Sequence, residues 1–325
     1  MRGIDGLLVG HYTDLEAGTG CTTILLPGGT TGGVAVPGIS PATRETDSLR
    51  FDREDKFVHA FHLTGGSAFG LDSAGGVMVI LEARGIGHPI PIGLVPIVPT
   101  AAILDMSVGA PTTRPDRAAG IAAVEAATDA PEEGTVGAGT GATVGKYAGF
   151  EYRMKGGVGV SDARDGDLIA VAIAVANPVG DIIDSDRTVI AGSRHPQARA
   201  ILDSYLSGEP LPAADEVARS WGAIDPPGVG SSTTIAAIVT NARTTQTRAC
   251  RLAERIAIEG FAASIDPPGT RWDGDTVFLG GTNQVDAPDD AIVGLGALVL
   301  ADAIRRAGRL ATELHGIPAA SGSSR

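Results

Sequence analysis

The sequence has few cysteines, few aromatic side chains and no long apolar run. Cys21 and Cys250 are the only two cysteines in 325 residues, and they stand far apart and outside any metal-ligand spacing. We therefore expect two free thiols in a reducing compartment and no metal site. Aromatic residues make up 4% of the chain, so the core must be built from Ala, Val, Ile and Leu.

Basic residues are outnumbered as well. The chain has 25 Lys and Arg against 38 Asp and Glu, a net charge of −13, which argues against nucleic-acid binding because that needs cations against phosphates. The chain contains no run of about 18 apolar residues, which is the length needed to span a membrane. The first residues, "MRGIDGLLVGHYTD", lack the apolar core of a signal peptide. We expect a cytoplasmic protein whose partners include neither nucleic acid nor membrane.

Strand and helix patterns follow one another along the chain, which is 43% hydrophobic and long enough for a packed core. Short β-rich runs bounded by Gly, Pro or Asp predict strands within 20–27, 57–66, 167–183, 233–242 and 275–281. Apolar residues at helical spacing predict helices within 67–85, 116–128, 244–265 and 289–308. Together these elements indicate layered α/β packing.

A cluster of alcohols stands at the start of one predicted strand. Residues 207–232, rich in Pro, Gly and acidic residues, predict an exposed connector, and it leads into Ser231, Ser232, Thr233 and Thr234. If the chain breaks before one of these residues, its hydroxyl gains a free α-amine of pKa about 7.7–8.0 as a neighbouring base. Thr suits this role because β-branching restricts its side chain. Taken alone, however, the stretch favours an ordinary strand start.

A pair of carboxylates occurs in "RWDGDTVFLGG". Asp273 and Asp275 are two apart on a strand-like segment, so we expect both on one face, and Gly274 between them allows another backbone to approach closely. Like charges this close need a compensating cation, and a terminal ammonium group would be one. Taken alone, the segment favours an Asp-Gly turn with solvated carboxylates.

These two segments together resemble a known family. "STTIAAIVTNA", a helix and then "DGDTVF" are similar to the L-aminopeptidase/D-esterase family (peptidase family S58). Its members are self-processing N-terminal-nucleophile hydrolases that include β-peptidyl aminopeptidases and 6-aminohexanoate-oligomer (nylon-oligomer) endohydrolase. The resemblance also covers "VGHYTD", "TGCTTIL", "TRETD", "LTGGSAFGLD", "GIGHPIPIGLVPIVPTAAILD", "VGAGTGATVGK", "MKGGVG" and "ANPVGD". It implies a single hydrolase domain over 1–325 with a four-layer α/β/β/α sandwich fold, no cofactor, and a homotetramer of cleaved αβ units.

The resemblance also implies a nucleophile and a cleavage site. Thr233 matches the family nucleophile, so the expected scission is at Ser232–Thr233, giving chains of 1–232 and 233–325. Many relatives have Asn or Gly before the nucleophile, whereas this chain has Ser232. Ser231 and Ser232 therefore remain as weaker candidates for the nucleophile.

Four further residues match catalytic positions of the family. Asp273 and Asp275 match a pair that orients the nucleophile and its amine. Lys146 matches a lysine that favours the deprotonated nucleophile, and Asn177 an amide that holds the carbonyl oxygen, with Pro178 biasing Asn177 toward an extended backbone. Without the resemblance, Lys146 would be interpreted as a surface lysine and Asn177 as a turn residue.

Four residues are weaker candidates for the substrate pocket. Gly65, Gly66 and Phe69 lie in "LTGGSAFGLD", where backbone N–H groups at a helix start could attract a carbonyl oxygen or an anion. Tyr147, next to Lys146, could line the same cleft. The alternative is a plain strand–helix turn and a packed tyrosine.

Two other patterns are set aside. "VGAGTGATVGKY" approaches nucleotide-binding motifs, but no buried strand is predicted before it. His59 and His62, three apart in a strand-like run, point to opposite faces, and no histidine has a partner that would suggest a Ser-His-Asp triad.

The expected function is hydrolysis of amide bonds in short peptides or peptide-like oligomers. The identity of "TTIAAIVTN", Lys146 and the aspartate pair favours the nylon-oligomer branch. The alternative is an uncleaved, inactive relative that serves as a binding or scaffold protein.

Overall fold

A computed structural model of the chain describes residues 3–207 and 232–320. The predicted connector at 207–232 therefore lies outside the described residues except for its two ends, and so does Ser231.

The α-helices of the described ranges agree with most of the predicted helical segments. Their bounds are α1 Ser67–Gly70, α2 Ser73–Ala83, α3 Arg117–Glu125, α4 Ala198–Ser207, α5 Gln246–Ser264 and α6 Asp289–Arg309. Side chains cap two of them: Asp116 accepts from the Ala119 N–H before α3, and Thr245 accepts from the Arg248 N–H before α5.

Most of the β-structure belongs to two five-stranded sheets. The first has the order β1-β2-β5-β8-β4 and the second β11-β12-β15-β17-β3. Strands of the first sheet are β1 Leu8–Asp14, β2 Thr19–Leu25, β4 Thr43–Arg44, β5 Ala60–Thr64 and β8 Thr100–Ala102. Strands of the second sheet are β3 Thr31–Ala35, β11 Val158–Asp165, β12 Leu168–Val175, β15 Ile235–Ala242 and β17 Thr276–Val285.

Short strands form three small sheets beside these two, in the orders β6-β7, β10-β9 and β14-β13-β16. Their bounds are β6 His88–Ile90, β7 Gly93–Val95, β9 Thr143–Val144, β10 Met154–Lys155, β13 Asp181–Ile183, β14 Val189–Ala191 and β16 Ile265–Asp266.

The two large sheets pack face to face between two pairs of helices. Alternate side chains of the second sheet point to an apolar core shared with α5 and α6, and the others to a core shared with the first sheet. At the centre, the rings of Phe61 and Phe278 stack with centroids 5.0 Å apart. Helices α2 and α3 cover the outer face of the first sheet. The predicted four-layer α/β/β/α sandwich is confirmed.

Two local predictions were wrong in detail. The segment 67–85 forms two helices instead of one, because the side chain of Ser73 bonds to Gly70 O and to the buried His62 ring at the break. Asp273 and Asp275 precede β17 instead of lying on it, since the backbone there bonds to the segment before β15 and to a loop at Ser40.

Candidate active site

Sheet topology brings three chain segments together at one edge of the second sheet. β12 runs antiparallel to β15, with Val175 opposite Ile235, so the end of β12 adjoins the start of β15. β17 runs parallel to β15, with Thr276 opposite Ile235, so the two strands start side by side. The residues after β12 and those before β15 and β17 must therefore meet.

Thr233 stands at this meeting point, two residues before β15. It is 5% exposed, and its backbone N–H donates to Asn177 O at 2.9 Å. Its Oγ1 hydroxyl donates to the carbonyl oxygen of Ser232. The hydroxyl thus lies against the peptide group whose scission the sequence predicts. By contrast, the Ser232 Oγ atom is buried and has no hydrogen-bond partner among the described residues.

The carbonyl of Ser232 has a second donor that the sequence did not predict. The backbone N–H of Gly274 donates to it at 3.0 Å. A Cβ atom at Gly274 would lie 2.3 Å from Ser40 O and 2.9 Å from Thr233 Oγ1, so glycine is required here. The Ser40 backbone is the close neighbour that Gly274 was predicted to admit. The sequence signal that could have indicated this donor was Gly274 itself, but the group to which its N–H donates depends on the fold.

Asn177 and Lys146 form the second side of the cluster. The Lys146 ammonium donates to Asn177 Oδ1 at 2.9 Å and to Asn177 O at 3.0 Å. The Thr143 N–H also donates to Asn177 Oδ1, at 2.9 Å. Both side chains are buried, at 0% and 4% exposure, so neither is the surface or turn residue of the alternative interpretation. Asn177 O is shared by the Thr233 N–H and Lys146, which places the lysine beside the Thr233 backbone nitrogen.

The two aspartates form the third side, and each holds a different segment. Asp275 accepts from the Thr234 N–H at 2.6 Å. Asp273 accepts from the Val179 N–H at 3.1 Å and from the Thr270 N–H and hydroxyl at 2.8 and 2.7 Å. They are 2% and 1% exposed. The alternative interpretation, an Asp-Gly turn with solvated carboxylates, is therefore wrong.

Burial brings the proton affinities of these groups closer together. Burial lowers the pKa of Lys146 to about 7, against the opposing charge of Asp273. Burial, and next the Asp273 charge, raise the pKa of Asp275 well above its ordinary value. The pKa of Asp273 is also raised by burial. Burial therefore shifts Lys146 and both aspartates toward their neutral forms, as is common at functional sites.

The four residues predicted for the substrate pocket bond to or pack against groups other than Thr233, Lys146 and Asn177, and their role in substrate binding stays a prediction. The Gly66 N–H donates to Asp105, against which Gly65 also packs. Phe69 is 61% exposed and lies under the Arg114 guanidinium, 3.9 Å from its ring centre.

Tyr147 and Lys146 have different hydrogen-bond partners. Tyr147 is buried, and its hydroxyl donates to Asp181 at 2.8 Å beside a cavity of about 400 Å³. Tyr147 lines this cavity together with Asp181, Arg187, Arg194 and His195.

Other chemistries lack a site in the described ranges. Both cysteines are buried free thiols. His62 is enclosed between Thr23 and Ser73, and burial lowers its pKa to about 3, so it is a packed histidine. Residues 3–207 and 232–320 contain no group of three or more His, Cys, Asp or Glu that could hold a metal ion. No helix in these ranges is long and apolar enough to cross a membrane.

Comparison with known proteins identifies the class. The family model described as peptidase family S58 matches residues 2–315. An uncharacterized aminopeptidase of Mycobacterium leprae (strain TN) is 38% identical over 304 residues, covering 89% of this chain and 80% of the relative. A 6-aminohexanoate-oligomer endohydrolase of Paenarthrobacter ureafaciens is 30% identical over 279 residues, covering 86% and 73%. The chain therefore belongs to peptidase family S58, and it is a hydrolase that acts on amide bonds.

Solved structures agree with the fold. The L-aminopeptidase D-Ala-esterase/amidase from Ochrobactrum anthropi, a variant of the Ntn hydrolase fold, superposes with a TM-score of 0.66 at 17% identity, covering 97% of this chain and 87% of that one. A β-aminopeptidase of Burkholderia sp. gives 0.64 at 18% identity, covering 98% and 89%.

Proposed function

We propose that the chain is a self-processing amidohydrolase whose nucleophile is Thr233 and which cleaves itself between Ser232 and Thr233. The observation that supports this most is the position of the Thr233 hydroxyl against the Ser232 carbonyl, whose oxygen also accepts the Gly274 N–H. Nucleophile, scissile carbonyl and a donor for the developing oxyanion are thus together in the uncleaved chain.

In self-cleavage, Thr233 Oγ1 attacks the Ser232 carbonyl carbon while its proton passes to a neighbouring base. Lys146 fits this base because a lysine of pKa about 7 is partly neutral at neutral pH. The C–N bond then breaks, the Thr233 nitrogen takes up a proton, and an ester joins Ser232 to the threonine. Water hydrolyses the ester, which releases a Ser232 carboxylate and restores the Thr233 hydroxyl beside the α-amine freed in the previous step.

In substrate hydrolysis the freed α-amine becomes the base of its own residue. It takes the hydroxyl proton as Oγ1 attacks the substrate carbonyl and delivers it to the leaving amine, and water then releases the acyl group. Asn177 O accepts from the Thr233 N–H in the uncleaved chain, which supports it as the acceptor that would hold this amine. Asn177, with its Oδ1 fixed by two donors, would present its amide N–H₂ to the oxyanion, and Asp273 and Asp275 would balance the ammonium charge.

The experiment is intact mass under denaturing conditions for wild type and Thr233→Ala. The wild type should give two chains, 1–232 and 233–325, and the variant one full-length chain. A wild type that stays whole and hydrolyses no amide would favour the scaffold alternative, in which Ser232 blocks processing.

For the substrate, we propose short peptide-like amides, with 6-aminohexanoate oligomers as the specific candidate. Support comes from the endohydrolase relative and from the buried cluster of Lys146, Asp273 and Asp275. Hydrolysis of 6-aminohexanoate oligomers and of aminoacyl p-nitroanilides should be compared in one assay. Faster turnover of the anilides would contradict the candidate and favour an aminopeptidase.

We further propose that the cleaved αβ units form a homo-oligomer, a tetramer by resemblance. Exposed apolar side chains support it, notably Phe51 and Ile258, 61% and 60% exposed beside one groove. Light scattering after size exclusion tests this, and a monomeric mass would contradict it.

A further inference from the structure

A second buried lysine lies behind the candidate site. Lys155 is 0% exposed and pairs with Thr143 across the β9–β10 ladder. Its ammonium group donates to Thr140 O at 2.6 Å and to Ala142 O at 2.8 Å. A fully buried lysine is rare because removing its charge from water is costly, so its placement requires a reason.

The reason lies in one peptide group. Ala142 C=O and Thr143 N–H belong to the same planar unit and point in opposite directions. Lys155 holds the oxygen side, and Asn177 Oδ1 accepts from the nitrogen side at 2.9 Å. The same Oδ1 accepts from Lys146. The peptide therefore links Lys155 to the Asn177 amide, and a charged donor on its oxygen strengthens its N–H as a donor.

Asp105 supplies the opposite charge. It is 2% exposed and accepts from the Thr19 hydroxyl and the Gly66 N–H, each at 2.7 Å. A Cβ at Gly141 would lie 2.4 Å from the Asp105 Cβ, so the carboxylate packs against the segment that Lys155 holds. Burial lowers the pKa of Lys155 to about 7, against the charge of Asp105, which raises it. Burial also raises the pKa of Asp105, against the charge of Lys155 and the two hydrogen bonds.

We propose that Lys155 is a positioning residue for the reaction, acting through the Ala142–Thr143 peptide on Asn177 and Lys146, with Asp105 as its counter-charge. This rests on the proposed function of Thr233. Lys155 touches neither Thr233 nor the Ser232 carbonyl in the described hydrogen bonds, so its effect is transmitted through Asn177 and Lys146.

Lys155 also acts on Lys146 through its charge. The charged groups that act on Lys146 are Asp273 and Asp275, which raise its pKa, and Arg153 and Lys155, which lower it. Removing the Lys155 charge therefore raises the pKa of Lys146. If neutral Lys146 is the base, the rising limb of the rate–pH profile must move to higher pH.

The test uses the double variant Asp105→Asn/Lys155→Met. Removing one member of a buried charge pair leaves the other uncompensated, whereas removing both avoids that cost. Lys155→Arg keeps a cation and its donors. Ile256→Ala, in the α5 core, is a control for general destabilisation, since such a truncation costs about 2–5 kcal/mol.

Freshly translated chain is gel-filtered into buffers below and above neutral pH, and self-cleavage is followed on denaturing gels beside a melting curve. We expect the double variant to cleave about tenfold more slowly or worse, with its rising limb at higher pH. Lys155→Arg should recover part of the rate, and Ile256→Ala should keep the wild-type profile.

A double variant with wild-type rate and profile overturns the proposal, as does the same profile shift in Ile256→Ala. If the double variant does not fold, Lys155→Arg is compared with the wild type: slower cleavage at an unshifted profile supports positioning, because the cation is kept and only its geometry changes, and the wild-type rate opposes it. Absence of cleavage in the wild type refutes the proposed function instead.

Discussion

A single methyl group at Gly274 tests the geometry around the scissile carbonyl. The Ser40 backbone cannot easily retreat from it, because the N–H groups of Ile39 and Ser40 both donate to Asp273 O, at 2.9 and 3.2 Å. The new Cβ would lie 2.3 Å from Ser40 O and 2.9 Å from Thr233 Oγ1. In Gly274→Ala the segment must therefore shift, and the N–H at 3.0 Å from Ser232 O shifts with it.

The shift of the segment and the loss of the hydrogen bond to Ser232 O affect stability and cleavage rate separately. Overpacking of this kind costs about 1–3 kcal/mol of stability, which the fold should survive. Loss of one oxyanion donor costs about 10²–10³ in rate, or roughly 3–4 kcal/mol. We therefore expect Gly274→Ala to fold and to self-cleave at least about a hundredfold more slowly.

The assay follows full-length chain on denaturing gels over time, with a melting curve for each protein. The matched control is Gly294→Ala in α6, where a Cβ meets nothing within 4 Å; it should cleave at the wild-type rate and gain up to about 1 kcal/mol of helix stability. Wild-type cleavage in Gly274→Ala would refute the oxyanion assignment.

Two further predictions concern the buried lysines. Lys146→Met should slow self-cleavage about a hundredfold or more, because it removes the proposed base. The control Lys56→Met, at a half-buried position outside the cluster, should cleave at the wild-type rate. Equal rates in time courses of the two variants would contradict the role of Lys146. The second concerns the pH dependence of stability. The pKa of Lys155 falls from 10.5 in the unfolded chain to about 7 in the folded chain. Between these two values the lysine holds its proton in the unfolded chain and loses it in the folded chain, so the free energy of unfolding rises with pH. In uncleaved Thr233→Ala, urea unfolding above neutral pH should show this rise, and adding Lys155→Met should reduce the slope to the share contributed by Lys146, whose pKa is also lowered to about 7; an unchanged slope would show that the folded Lys155 keeps its ordinary pKa.

Much of the fold could be predicted from local patterns. β15 and β17, α5 and α6 were predicted because alternation, helical spacing and caps are local signals. β1, β3 and β11 were not predicted, since Gly-rich or half-polar strands carry weak alternation.

Part of the candidate site could likewise be predicted from the sequence and part could not. The five candidate catalytic residues were predicted through motif resemblance, and the structure brings them together: Thr233, Lys146, Asn177, Asp273 and Asp275. The Gly274 N–H and the Lys155–Asp105 pair were not found, because a backbone donor and a buried charge pair depend on which distant segments the sheets place side by side. The position of Asp273 and Asp275 before β17 is a tertiary effect of that kind.

The most direct test of Thr233 as the nucleophile is N-terminal sequencing of purified, active enzyme. We expect a second amino terminus that reads Thr-Thr-Ile-Ala-Ala, beginning at Thr233. An active preparation with no new terminus at that residue would contradict the assignment of Thr233 and, with it, the roles proposed for Lys146, Asn177, Asp273 and Asp275.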